Sequence, residues 1–183
     1  MRRRARSRPA GALRRAALLA APSALRRAAL LAAALAALAP AGRAAEAEIA
    51  ASLGANDLRK NPKPAAAVEI RSKPVLSWGW GEARLGAAIE ANGAFWGGGG
   101  AIVFVRLGPD WRAEGSVMVG GYDEGAGVDL GAEFPMFRTQ IGLSRAIAPG
   151  WRLGASINHK SNAGASPINP GVETLLFTLV RSF

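Results

Sequence analysis

Cysteine is absent from the 183 residues, so no disulfide framework holds this chain together. Small exported domains without a large core usually depend on disulfides, and this chain must therefore close itself in another way. Acidic residues are absent from residues 1–43, which hold ten of the 23 Lys and Arg residues, whereas the remainder carries 13 basic and 13 acidic side chains. The formal charge of +10 thus belongs to the first segment, and the rest of the chain has no basic excess with which to bind nucleic acid.

Long apolar runs are also missing, and none reaches the roughly 20 residues that a membrane-spanning helix needs. The run at residues 28–39 contains only Ala and Leu, follows a series of arginines and precedes small residues. This order predicts a cleavable signal peptide over residues 1–44 and a mature domain over residues 45–183. The long arginine-rich start leaves the initiation site and the cleavage point open.

Alternating apolar and polar side chains recur in segments of about ten residues through the mature chain, which is typical of a membrane β-barrel. Within 151–160, for example, the odd-numbered positions are apolar as far as Ile157, and the even-numbered positions are polar or small. We predict seven or eight strands, with 75–80 either separate or the start of the next segment. The segments are 46–55, 65–72, 75–80, 82–92, 100–107, 111–120, 137–144, 151–160 and 172–183.

Two features favour a barrel in lipid over an exported soluble β-sandwich, which also alternates. The polar faces carry both Arg and Glu, as expected of a narrow lumen filled with paired charges. Trp78, Trp80, Trp111 and Trp151 lie at segment ends, where interfacial aromatic girdles occur. Because eight is the smallest even number of strands that closes such a barrel, we predict an all-β, eight-stranded antiparallel transmembrane β-barrel of a Gram-negative outer membrane.

The end of the chain supports this fold and orients it. Phe183 follows Leu175, Phe177 and Leu179 at alternate positions, which resembles the signal by which outer-membrane barrels are recognised for assembly. The side of segment 100–107 that faces inward is ambiguous, because both of its faces are apolar. Both termini of such a barrel lie in the periplasm, so the last strand runs from the outer surface toward the periplasm. Residue 172, at its start, is therefore expected at the outer leaflet.

The only histidine, His159, stands two residues before Ser161, and Glu173 begins the next segment. A serine hydroxyl becomes a nucleophile when an imidazole accepts its proton, and the imidazole needs an acceptor that holds it. Residues two apart on a strand share a face at about 7 Å, and a residue on the partner strand can reach across. Parity assigns all three to the outward, lipid-facing rows that include 151–157 and 175–179. We predict a Ser–His–Glu hydrolase triad on the outer wall, at the outer-leaflet end.

The stretch 159–173 resembles the outer-membrane lipid A 3-O-deacylase (PagL) family, whose motif runs His-x-Ser-Asn, then Gly, then Asn and a Glu. The resemblance implies that His159 is the general base, Ser161 the nucleophile and Glu173 the third member. It also implies that Asn169 and the Gly164 amide are candidates for an oxyanion hole. The matching residues are His159, Ser161, Asn162, Gly164, Asn169 and Glu173.

The same resemblance implies a substrate and a reaction. The substrate is lipid A, the membrane anchor of lipopolysaccharide, and the bond hydrolysed is the ester of the 3-hydroxyacyl chain at the 3-position of the glucosamine disaccharide. The outer-membrane bilayer is then the medium in which enzyme and substrate meet. This reaction requires no metal or organic cofactor, and no Cys/His cluster in the sequence offers a metal site.

Several alternatives stay open on the sequence alone. They are a non-catalytic barrel with a structural or adhesive role, a lipid-modifying barrel of different chemistry such as a phospholipase or palmitoyl transferase, and a soluble sandwich. The sequence does not decide between a monomer and a homodimer. The glycines at 97–100 lack the features of a phosphate-binding loop and predict a turn or a smooth patch of wall. The acidic residues Asp123, Glu124 and Asp129 lack the spacing of a calcium loop and predict a solvated loop.

Overall fold

The structure is a computed structural model that describes residues 46–183, so the predicted signal peptide lies outside the described residues. Every regular element in this part of the chain is a β-strand. Residues 46–183 include no helix that is long and apolar enough to cross a membrane. The strands are β1 (Glu48–Asn56), β2 (Lys63–Arg71), β3 (Leu76–Trp78), β4 (Gly81–Ala91), β5 (Phe95–Arg106), β6 (Trp111–Asp123), β7 (Met136–Ala148), β8 (Trp151–Ser161) and β9 (Val172–Ser182).

The strands form one antiparallel sheet that closes on itself. Successive strands pair from β4 to β9, β1 lies between β2 and β9, and the pairing of β2 with β4 completes the ring. Eight strands therefore make the barrel, which confirms the predicted fold. The short strand β3 pairs with β4 beside the ring, and a turn separates the two. The predicted segment 75–80 is thus a separate strand and not the start of β4.

The two faces of the strands divide as the alternation predicts. On the outward face, Leu85 and Val117 are each 58% exposed and Ile141 is 68% exposed, because their side chains point away from the barrel. Their even-numbered neighbours, such as Arg84 and Gln140, are buried inside it. An apolar outer wall around a polar interior is the arrangement that a bilayer stabilises in a small transmembrane barrel.

Strand β5 resolves the ambiguity of the segment with two apolar faces. Ile102 and Phe104 point inward and are 1% exposed, whereas Val103 points outward. The glycines at 97–100 lie inside this strand, where they pair with β4 on one side and with β6 on the other. They are therefore a smooth patch of wall, which was one of the two predicted alternatives, and not a turn.

Ion pairs fill the lumen, as the mixed charges of the inward rows predict. Arg112 donates to both carboxylate oxygens of Glu48, at 2.7 and 2.9 Å. Arg138 Nη1 lies 3.1 Å from Glu69 Oε2, and an ion pair joins Lys160 to a third buried carboxylate, that of Glu90. Buried charges are tolerable only when they are paired and hydrogen-bonded. The interior therefore holds a cross-linked network of charges beside a cluster of buried apolar side chains, which includes those of Trp96 and Met118.

The two ends of the barrel differ. At the end that holds Glu48 and Ser182, the connections 107–110 and 149–150 are short, and the connection 72–80 is longer because it holds β3. The predicted girdle tryptophans 78, 80, 111 and 151 all lie at this end. At the opposite end, the connection 92–94 is short, but the connections 57–62, 124–135 and 162–171 are longer, and the last two are the longest between the strands. We call this opposite end the long-loop end. The hairpin of β8 and β9 carries the predicted triad residues to it.

Candidate active site

Strands β8 and β9 bring His159 and Glu173 together across the barrel wall. The two residues are direct partners in the antiparallel register, at the long-loop end of both strands. Both belong to outward rows: His159 continues the row of Ile157, and Glu173 continues the row of Phe177. Directly opposed side chains have Cβ atoms roughly 5 Å apart. The register of one hairpin thus provides a carboxylate within reach of an imidazole.

The two side chains are in contact. His159 Nδ1 lies 3.3 Å from Glu173 Oε1. A proton on Nδ1 is donated to this carboxylate, which leaves Nε2 as the basic nitrogen. The imidazole is 45% exposed and the carboxylate 18%. The carboxylate is therefore the more sheltered partner, and the ring is the one that a substrate can reach.

Gly171 packs against the His159 ring from the loop side. Its backbone has a φ of +65°, a left-handed conformation that glycine adopts readily and other residues adopt at a cost. A Cβ at this position would lie 2.5 Å from His159 Cε1 and 3.1 Å from Nε2. Only a glycine leaves room for the imidazole here. No role of Gly171 was predicted from the sequence, although its place in the turn Asn169-Pro170-Gly171 indicates special backbone geometry.

Ser161 is the last residue of β8, and its register partner on β7 is Phe137. It shares the outward parity of His159 and is partly exposed. Its hydroxyl makes no hydrogen bond to His159 in this structure, so the two side chains are on one face but not joined. The strand spacing leaves about 7 Å between them along the backbone. A rotation of both side chains toward each other is the movement that would connect them.

The loop 162–171 is organised by Asn162, whose side chain is fully buried. Its Nδ2 donates to the Leu130 carbonyl at 2.8 Å and to the Ile168 carbonyl at 2.7 Å. Its Oδ1 accepts the Gly164 N–H at 2.9 Å, and its own N–H donates to Asn169 Oδ1 at 3.1 Å. The three loop residues named from the sequence are thus linked to one another. Asn162 braces the loop, and the Gly164 amide is already engaged.

Arg59 is a further charged residue at the site, and it was not predicted from the sequence. It lies in the connection between β1 and β2, and its Nη2 is 3.0 Å from Glu173 Oε1. This is the same oxygen that contacts His159. The register of β1 with β9, in which Asn56 opposes Thr174, delivers the loop to this position.

Polar side chains inside the barrel support the hairpin beneath these residues. Lys160, between His159 and Ser161, points into the lumen and is fully buried. Its Nζ donates to Thr174 Oγ1 at 2.8 Å, next to Glu173, and also to Glu90. Because Lys160 bonds across from β8 to β9, it holds the two strands in the register that aligns the outward pair.

A groove of about 770 Å³ runs along the outer wall from His159, Glu173 and Arg59. Its remaining wall comes largely from outward positions of β5 to β8. Gly115 forms a low point, because a Cβ built there would meet no atom closer than 4.0 Å. Such a groove is open to the side of the barrel and suits an apolar chain. Its apolar lining includes Ala101, Val103, Val117, Ile141 and Ile157.

Two solved structures, one of a natural enzyme and one from a design study, have folds similar to that of this chain. The crystal structure of the outer membrane enzyme PagL aligns with a TM-score of 0.62 and 18% identity, over 74% of this chain and 99% of that one. A structure from the de novo design of transmembrane β-barrels aligns with a TM-score of 0.52 and 8% identity, over 79% and 100%. At these identities, both likenesses bear on the fold alone. A search of curated proteins gives no significant match.

The family match goes further than the fold. The sequence model of the family described as "Lipid A 3-O-deacylase (PagL)" matches residues 66–181, which is more than half of the chain. The match spans the β8–β9 hairpin up to Arg181, with His159, Ser161 and Glu173. The chain therefore belongs to the lipid A 3-O-deacylase (PagL) family of outer-membrane hydrolases.

Proposed function

We propose that this protein hydrolyses the 3-hydroxyacyl ester at the 3-position of lipid A through a triad of Ser161, His159 and Glu173. The observation that carries the proposal is the 3.3 Å contact between His159 and Glu173 on the outward face of the wall. A paired imidazole and carboxylate are unexpected on a surface that faces lipid unless they have a function. The adjoining apolar groove offers a place for an acyl chain.

In the first step, Ser161 Oγ attacks the ester carbonyl carbon while His159 Nε2 accepts the hydroxyl proton. Glu173 holds the ring through Nδ1 and stabilises the imidazolium that forms. Collapse of the tetrahedral intermediate breaks the bond between the carbonyl carbon and the sugar oxygen. The imidazolium returns its proton to that oxygen, so the sugar leaves as an alcohol and the acyl chain stays on Ser161.

The second step releases the fatty acid. A water molecule gives a proton to His159 Nε2 and attacks the acyl-serine carbonyl, and the proton then returns to Ser161 Oγ as the bond to it breaks. Both steps use only groups of the protein and water. The products are a 3-hydroxy fatty acid and a lipid A with a free hydroxyl at the 3-position.

The oxyanion requires a donor near Ser161, and the loop that follows β8 supplies candidates. The Asn169 side chain uses Oδ1 to accept the Asn162 N–H, which turns its Nδ2 donor away from that contact. The Gly164 N–H is occupied by Asn162 Oδ1. Asn169 Nδ2 is thus the donor that we assign to the oxyanion, and Gly164 contributes only if its contact with Asn162 opens.

The long-loop end is the outer-leaflet end in this proposal. Small outer-membrane barrels have short periplasmic turns and longer extracellular loops, and the two longest connections of this barrel, 124–135 and 162–171, both lie at the long-loop end. With this orientation, the residues at the start of β9 lie where the acyl chains and sugar of lipid A meet. The substrate then approaches from the side, within the membrane.

The test is mass spectrometry of lipid A from cells that express the wild type, Ser161→Ala or Ser166→Ala. Ser166 is a serine of the same loop with an ordinary loop contact, to the N–H of Ile168. We expect the wild type and Ser166→Ala to remove one hydroxyacyl mass and Ser161→Ala to remove none. Unaltered lipid A with folded wild-type protein would overturn the proposal.

The products also separate the rival chemistries. A palmitoyl transferase adds acyl mass to lipid A, and a phospholipase releases lysophospholipid while lipid A stays intact. A non-catalytic barrel changes neither lipid. Loss of a fatty acid that lacks the 3-hydroxyl would point to a different ester position and would contradict the proposed specificity.

A further inference from the structure

Arg59 places a guanidinium on the rim of the groove. It is 78% exposed, and its Nη2 lies 3.0 Å from Glu173 Oε1. It lines the groove together with His159 and Glu173. A cation at this point faces whatever lies in the groove above the apolar wall. No step of the proposed hydrolysis uses it.

The pair between Arg59 and Glu173 is of the kind that exchanges readily. Glu173 is 18% exposed, but the Arg59 side chain stands largely in solvent. An ion pair with such an exposed cation contributes little stability, because water competes for the guanidinium and the long side chain loses freedom. Arginine forms two parallel hydrogen bonds with a phosphate as readily as with a carboxylate. A bound phosphate can therefore take the guanidinium from Glu173 at little cost.

The charge balance of the loop around Arg59 also favours an anion. The connection and the start of β2 carry Arg59, Lys60 and Lys63 against a single carboxylate, that of Asp57. Lys63 Nζ donates to the carbonyl oxygen of Ala126, at 2.8 Å, and not to a carboxylate. Among the described contacts, Arg59 pairs with Glu173, whereas neither Lys60 nor Lys63 pairs with a carboxylate. The rim thus has excess positive charge beside the groove.

The ester that we propose as the substrate lies close to an anion in its own molecule. Lipid A carries a phosphate at C1 of the glucosamine whose C3 bears the ester, two ring carbons away. When the ester carbonyl reaches Ser161, that phosphate lies on the sugar at the rim, above the apolar groove. The guanidinium of Arg59 is the cation closest to His159 and Glu173 along this rim.

We infer that Arg59 binds the C1 phosphate of lipid A and leaves Glu173 when it does so. This inference rests on the proposed function, since it assumes that the ester enters the site at Ser161. It has a consequence for the triad. In the free enzyme, Arg59 and His159 share Oε1 of Glu173. Transfer of Arg59 to the phosphate returns the whole carboxylate to His159, which needs it when the imidazolium forms. Arg59 is thus a binding residue that couples substrate recognition to the triad.

The test measures binding in the Ser161→Ala background, where no hydrolysis interferes. Full-length protein in detergent micelles is titrated with bisphosphorylated lipid A and with 4′-monophosphoryl lipid A, which lacks the C1 phosphate. We expect the first lipid to bind about tenfold more tightly than the second, as for one charge-assisted contact at an exposed site. Arg59→Gln should reduce this ratio to about one. Lys60→Gln removes the same charge from the neighbouring residue, which adds to the charge of the rim without a contact to Glu173, and should lower the ratio less than twofold.

Three results would overturn the inference: a ratio near one in the parent protein, a ratio that survives Arg59→Gln, or an equal loss in Lys60→Gln. The last would indicate a diffuse electrostatic effect of the loop. Because the titration requires no catalysis, its outcome is independent of the test of hydrolysis. If lipid A mass stays unaltered with the wild type while the ratio falls in Arg59→Gln, the proposed function fails and the phosphate contact stands.

Discussion

Gly171 leaves no room for a side chain beside His159: a Cβ on Gly171 would lie 2.5 Å from the Cε1 atom of the imidazole. The ring is therefore held between a carboxylate at Nδ1 and the backbone of the loop. The position of the imidazole thus depends on Gly171, a residue without a reactive side chain. Four variants test the geometry and its supports.

Gly171→Ala should displace the imidazole. A misplacement of about 1 Å can reduce the rate roughly 100-fold, and the left-handed backbone adds strain of about 1 kcal/mol. Gly108→Ala is the matched control, because Gly108 also has a positive φ but open space around it, at the other end of the barrel. Rates of lipid A deacylation in mixed micelles check this. We expect Gly108→Ala to keep the wild-type rate. An equal fall of the rate in both variants would mean that backbone strain, and not the position of the ring, is responsible for the loss.

Glu173→Gln should lower kcat roughly 1,000-fold, because an amide neither holds the reactive tautomer nor stabilises an imidazolium. The same substitution at Glu133, an exposed loop residue at the same end, should keep the wild-type rate. Single-turnover measurements of fatty acid release separate this loss of kcat from weaker binding. Activity of Glu173→Gln within threefold of wild type would exclude Glu173 from the triad.

Lys160→Met should lower the free energy of unfolding by about 3 kcal/mol, since it leaves the buried carboxylate of Glu90 without its nearest cation. Removing both charges in Lys160→Met with Glu90→Gln should cost at least 1 kcal/mol less than the sum of the single variants. Urea unfolding in lipid vesicles, followed by tryptophan fluorescence, gives these values. Strictly additive losses would contradict a direct pair.

Gly115→Phe should fill the low point of the groove without disturbing the barrel, because the position is open to the outside. We expect kcat/KM for lipid A to fall about tenfold, the order expected for losing burial of two methylene groups. Ala113→Phe places the same ring on the same outward row of β6 but outside the groove lining, and should leave kcat/KM unchanged. An equal fall in both variants would assign the effect to the lipid-facing surface in general.

Much of the fold follows from local pattern. The alternation at 82–92 and 151–160 is strong, because one face meets lipid and the other meets paired charges, and both faces were predicted correctly. Segment 100–107 was ambiguous for a physical reason. Ile102 and Phe104 belong to a buried apolar cluster inside the lumen, and the guanidinium of Arg112 lies 4.0 Å from the centre of the Phe104 ring. Apolar side chains therefore occupy the inward face of this strand as well as its outward face. Periodicity alone does not show which alternate residues of such a strand face the lumen and which face outward.

The candidate site was predictable only where its residues lie on one hairpin. Parity placed His159 and Glu173 on one face, and the structure adds that they are direct register partners. The contact of Arg59 with Glu173 could not be predicted from the sequence, because only the pairing of β1 with β9 brings Arg59 to this position. Neither residue type nor spacing signals a contact that depends on a long-range register. The catalytic roles of His159, Ser161, Glu173 and Asn169 stay predictions.

The cross-linked interior leaves no open channel through the described part of the barrel, so substrate and product do not pass through the lumen. Side chains from opposite walls meet across the barrel, as in the pairs of Arg112 with Glu48 and of Arg138 with Glu69. We therefore expect no ionic conductance from the protein in planar bilayers, unlike a porin of larger bore. The proposed active site lies on the outer wall of the barrel and not in its lumen. We therefore expect a released fatty acid to enter the surrounding lipid by lateral diffusion, without crossing an aqueous passage.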